Sequence, residues 1–92
     1  MEEERKNLTD KTQDLHRAIE SLREEIEAVD LYNQRADACI DPHLKKILLH
    51  NADEEKEHFS MLLEWIRQQD ENMSKELKEY LFKDSKDITC HD

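Results

Sequence analysis

A single proline, Pro42, is the only residue in this 92-residue chain that cannot sit inside an α-helix, and the chain contains no glycine. Glycine is what lets a backbone enter the left-handed region in tight hairpins and lets it close around phosphates. Without it, a multi-stranded sheet and a phosphate-cradling loop are both poor solutions. Long helices remain. Pro42 follows Asp41, which is a good N-cap, and proline is favoured at the first helical position, where its missing N–H costs nothing. The segment Cys39-Ile40-Asp41-Pro42 therefore reads as a corner between two helices.

The first helix is expected over about 9–38, capped by Thr9 or Asp10. Its apolar positions Leu15, Ile19, Leu22, Ile26, Val29 and Ala36 step by three and four, as in a coiled-coil seam, with polar Asn33 filling the gap. A neighbouring stripe of Leu22, Glu25, Val29, Tyr32 and Ala36 sets one carboxylate among apolar residues. The second helix is expected over about 42–68. Its stripe is Leu44, Leu48, Asn51, Glu55, His58, Leu62 and Trp65, flanked by Phe59, Leu63 and Ile66. A short third helix over about 73–82, capped by Asn72 or Ser74, carries Met73, Leu77, Tyr80 and Leu81 on one side. Lys83 to Asp92 reads as a loose polar tail. The expected fold is all-α: one domain over 1–92, an antiparallel two-helix hairpin plus a short C-terminal helix. Two helices cover only one face of each other, so a chain of this size is expected to dimerise into a four-helix bundle.

The charge balance narrows the function. Charged residues make up 41% of the chain and the formal net charge is −10. An acidic surface repels nucleic-acid phosphates and attracts cations. No apolar run approaches the ~20 residues that span a bilayer. The start, Met1-Glu2-Glu3-Glu4-Arg5-Lys6, is not a signal peptide. Cys39 and Cys90 are then expected to be free thiols, and the location cytoplasmic.

Glu55 and His58 form a Glu-x-x-His pair in a seam where apolar residues belong. A carboxylate buried without a partner costs several kcal/mol, and a metal ion recovers that cost with these two ligand types. Di-iron sites in helical bundles take one Glu from each of two helices and a Glu-x-x-His from each of the other two. The chain offers half of this set, Glu25 with Glu55 and His58, and has no second Glu-x-x-His. A two-fold axis doubles it to four carboxylates and two imidazoles, whose four negative charges match two ferrous ions. Such a donor set suits iron or manganese better than zinc. Tyr32, seven residues from Glu25 on the same face, is a candidate donor to a metal-bound carboxylate.

The stretches His16-Arg17-Ala18-Ile19 and Glu24 to Arg35, then Ile47-Leu48-Leu49-His50-Asn51, Asp53 to His58, Leu63-Glu64-Trp65 and Glu79-Tyr80-Leu81-Phe82 resemble the encapsulated ferritin family. The resemblance implies a ferroxidase, oxidising Fe(II) to Fe(III) at a di-iron centre between two subunits, with Glu25, Glu55 and His58 as ligands. It implies Glu24 and Glu27 as an outer metal site near the same axis. It also implies a decameric ring inside an encapsulin nanocompartment where iron is stored as mineral. Leu31 stands where the family pattern has a tryptophan beside the tyrosine, and no apolar shell-docking tail follows Phe82. Two other functions use the same residues: a metal carrier or sensor without turnover, and a structural helical oligomer whose polar seam sets register.

Overall fold

The computed structural model describes residues 1–84 and 87–89. A 3-10 turn over Arg5–Asn7 precedes three helices: α1 (Asp10–Ala38), α2 (Pro42–Gln69) and α3 (Glu71–Tyr80). No strand occurs among the described residues. The chain is therefore all-α, with two long helices packed as a hairpin and a short helix against the end of α2.

Each start carries its own cap. The Thr9 hydroxyl accepts from the Thr12 N–H at 3.2 Å, and Asp41 Oδ2 accepts from the Leu44 N–H at 2.8 Å, just ahead of Pro42. Gln13 Nε2 donates to the carbonyls of Arg5 and Leu8, both at 3.2 Å, and so ties the N-terminal turn onto α1. The third helix differs from the expectation of 73–82 capped by Asn72 or Ser74. Asp70 is the cap, accepting from the Met73 N–H at 3.0 Å, so the helix begins at Glu71. It ends at Tyr80 because Phe82 takes a left-handed φ of 59°, which a helix cannot continue through. Asp70 also closes α2, so one acidic residue serves two helix ends.

Only part of the coiled-coil seam of α1 turns inward. Ala18, Val29 and Ala36 are buried, whereas Ile19 and Ile26 remain 39% and 48% exposed. Ala52 and Ile66 are the buried residues of α2. Ala18, Ala36 and Ala52 are among these buried residues, and small side chains at a contact permit close helix packing. The neighbouring stripe of Leu22, Glu25, Val29, Tyr32 and Ala36 is thereby turned inward.

Little is enclosed. Among the described residues no large side chain is fully buried, and Ile47, Met61, Trp65 and Leu81 all stay exposed. The chain presents 7601 Å² to solvent, against about 5,700 Å² for a compact monomer of its mass. Its radius of gyration is 17.1 Å, against about 12 Å for a globular chain of this length. The molecule is an open plate with apolar surface to spare. Among the described residues no helix is long and apolar enough to cross a membrane. Cys39 is a free thiol at the corner, while Cys90 and much of the expected tail lie outside the described residues.

Candidate metal centre

The hairpin geometry sets Glu25, near the middle of α1, opposite the middle of α2, where Glu55 and His58 lie. Glu55 and His58 are three residues apart on α2, so they share one face and lean the same way. The result is a cluster in which one ligand atom from each of Glu25, Glu55 and His58 lies within 4.8 Å of the others. His58 Nδ1 is 3.4 Å from Glu25 Oε2 and 3.4 Å from Glu55 Oε2. The two carboxylates are each 24% exposed and the imidazole 46%.

Glu25 Oε2 is buried and makes no hydrogen bond, although the imidazole nitrogen sits within ion-pair range. At 3.4 Å, and out of line, that contact is electrostatic and leaves the oxygen's lone pairs unsatisfied. A buried carboxylate oxygen without a donor costs more than 1 kcal/mol. Ligands on one ion, with bonds of about 2.1 Å, lie about 3–3.5 Å apart from one another. The observed spacing fits donors to a shared cation better than it fits a hydrogen-bonded trio. The orphaned oxygen, the spacing and the two-carboxylate, one-imidazole chemistry all suit a hard divalent metal.

The remaining candidates fall elsewhere. Tyr32 is half-buried, with the Arg35 guanidinium 5.7 Å from its ring centroid. Glu24 and Glu27 are exposed on α1, and within one chain they join no third ligand. His50 pairs with Glu54 at 2.8 Å on the solvent side of α2 and takes no part in the cluster. Among the described residues no fourth ligand joins Glu25, Glu55 and His58. The cluster therefore lies half-open on a face of the hairpin that also carries exposed Trp65 and Ile47.

A carboxyl displaced far from its ordinary range, Glu64, is not among the three clustered residues. Hydrogen bonds from Arg67 and Gln68 lower the Glu64 pKa to about 2. Arg67 holds Glu64 through two contacts, at 2.6 and 2.7 Å, and reaches Ser74 of α3 at 2.9 Å. This network fastens α3 to α2 and has no part in metal binding.

A family model described as EncFtn-like matches residues 1–84. The chain is 55% identical over 75 residues to an encapsulated ferritin-like protein of Rhodospirillum rubrum, covering 82% of this chain and 54% of that one. It is 51% identical over 77 residues to a ferritin-like protein of Thermotoga maritima, covering 84% and 68%. The chain thus spans about half the length of the first of these relatives and about two thirds of the second. A crystal structure of a Nitrosomonas europaea protein superposes with a TM-score of 0.88 at 64% identity, over 90% of this chain and 91% of that one. With a family model matching residues 1–84 and a relative 55% identical over 82% of this chain, the chain belongs to the EncFtn-like, encapsulated ferritin family.

Proposed function

We propose that this protein is a ferroxidase: it binds ferrous iron at a di-iron centre shared by two subunits and oxidises it to the ferric state. The observation that carries the reading is the buried, undonated Glu25 Oε2 set beside Glu55 and His58 on an uncovered face. A second copy laid on that face brings three more ligands and covers apolar side chains that one hairpin leaves in water. The extended shape and thin core support such a partner, because a stable single chain of this mass buries more. In the simplest assembly two hairpins form a four-helix bundle around the paired half-sites.

Iron is the substrate here, and two adjacent ferrous ions each give up one electron to an acceptor such as oxygen. The protein's part is positional. Glu25 and Glu55 place two negative charges per chain where a divalent ion is neutralised, and His58 fixes the direction of approach with a neutral donor. Tyr32, on the Glu25 face, is in position to donate to a ligand carboxylate. Glu24 and Glu27 are proposed as the outer site that gathers cations from solvent.

A single domain of this size encloses no mineral, so the ferric product passes to another container. By likeness to the encapsulated relative, that container is an encapsulin shell in the cytoplasm, with the dimers closed into a decameric ring. Nucleic acid and membrane have no place in this reading.

Adding ferrous iron anaerobically and then admitting air tests the proposal. Ferric absorbance should rise with oxygen uptake well above the uncatalysed rate, and Glu55→Ala should lose at least about tenfold of it. Equal rates in Glu55→Ala and the unaltered protein would overturn the ferroxidase reading. Iron bound without oxygen uptake would assign a carrier or sensor instead.

A further inference from the structure

The three methionines carry the same thioether into three different surroundings. Met61 is 59% exposed, Met1 50% and Met73 38%, so access to bulk solvent ranks them closely. Their distance from the cluster does not. Glu55, His58 and Met61 follow one another at three-residue steps along the unbroken α2, and residues three apart on a helix have Cβ atoms about 5–6 Å from each other. Each step also drifts about 60° around the helix axis, so Met61 is the next rung after His58, on the side away from Glu55. Exposure rises along the same path, from 24% for the Glu55 side chain to 46% for His58 and 59% for Met61. The lean of helical side chains toward their N-terminus carries the Met61 thioether back over the His58 turn. It stands at the solvent rim of the cluster.

The other two methionines lie elsewhere. Met1 shares a groove with His16, Glu20 and Arg23. Arg23 is two residues before Glu25 and so points to nearly the opposite side of α1. Met73 sits in the first turn of α3, after α2 has run from His58 to Gln69, a rise of about 16 Å.

We propose that Met61 captures, as methionine sulfoxide, hydrogen peroxide formed when iron is oxidised at the cluster. The inference rests on the ferroxidase reading above. Two ferrous ions give one electron each to dioxygen, which takes up two protons and leaves as hydrogen peroxide. The Met61 sulfur lone pair then attacks one peroxide oxygen. The O–O bond breaks, an S–O bond forms, and the second oxygen leaves with both protons as water. Sulfur loses two electrons and peroxide gains them. A flexible apolar side chain becomes a polar sulfoxide, a lasting mark on one peptide.

A single turnover reads that mark. Ferrous iron is added anaerobically at about one ion per chain, air is admitted with catalase present to clear peroxide from bulk solvent, and the digested protein is weighed by mass spectrometry. The Met61 peptide should gain one oxygen atom at least about fivefold more often than the Met1 and Met73 peptides. Hydrogen peroxide added to the metal-free protein without catalase should show no such preference, with Met61 oxidised at most about twofold more than the other two. Glu55→Ala under the turnover conditions should lose the preference, and Met61→Leu should oxidise iron at the unaltered rate. Iron oxidised well above the uncatalysed rate with no preference for Met61 would overturn the inference and leave the ferroxidase reading standing. A Met61→Leu protein unable to oxidise iron would also overturn it, because Met61 would then belong to the centre itself. No catalysed iron oxidation in the unaltered protein would sink both.

Discussion

Glu25 concentrates the energetic problem of the single chain into one oxygen atom. Its Oε2 is out of water with no donor, beside an imidazole at 3.4 Å and, across it, a second carboxylate. Removing the charge removes most of that cost. Glu25→Gln is therefore expected to leave the metal-free protein as stable as before or about 1 kcal/mol more stable, while abolishing the thermal shift that Mn(II) gives the unaltered protein. Melting both proteins with and without Mn(II) checks this. A metal-free Glu25→Gln protein that is markedly less stable would mean that Glu25 is a structural residue. That Glu55 and His58 share one face was legible in the sequence because a three-residue spacing within an apolar stripe fixes it. Their distance from Glu25 was not legible, since it depends on which stripe of α1 turns inward. The two stripes read from the sequence share Leu22, Val29 and Ala36, and the burial of Ala18, Val29 and Ala36 with Ile19 and Ile26 left exposed turns Glu25 inward.

At the level of elements, α1 and α2 were written plainly, by Thr9, Asp41 and Pro42 at their starts and by the unbroken helical period. The third helix was less so. Asp70 falls between the two expected helices, and its double service as end of α2 and cap of α3 has no sequence signature beyond an acidic residue in a polar run. Arg67 fastens this junction through Glu64 and Ser74. The Glu64 carboxyl is held at about 2, chiefly by the Arg67 hydrogen bond. Its folded pKa lies below its unfolded value, so its support for the junction is complete above the ordinary carboxylate range. That support is lost as pH falls from about 4.5 toward 2. The group is exposed, and solvent screening keeps the effect small. Amide exchange in α3 is expected to be faster in Glu64→Gln than in the unaltered protein at neutral pH, with the difference vanishing near pH 2. A difference that persists at that pH would show that the pair does not fasten α3.

For the whole molecule, the excess surface and the open cluster describe the same deficiency. A chain that exposes 7601 Å² with a radius of gyration of 17.1 Å has not finished burying its apolar side chains. The half-set of ligands lies on a face it leaves uncovered. Association should therefore be coupled to metal. Without a cation, four carboxylates brought together repel one another, and with it the site and the interface form by the same binding event. The proposal of a partner starts from the chain's shortness and lone Glu-x-x-His. The size of an assembly depends on angles between subunits that no residue pattern encodes.

Sedimentation of the protein under anaerobic conditions, with and without ferrous iron, tests that coupling most directly when bound iron is counted in the same samples. Two half-sites joined across a symmetry axis require iron to raise the mass to a dimer or a multiple of one, with about one ion per chain, and require Glu55→Ala to stay unresponsive. Iron held by a single sedimenting chain, at unchanged mass and with the same count, would contradict them.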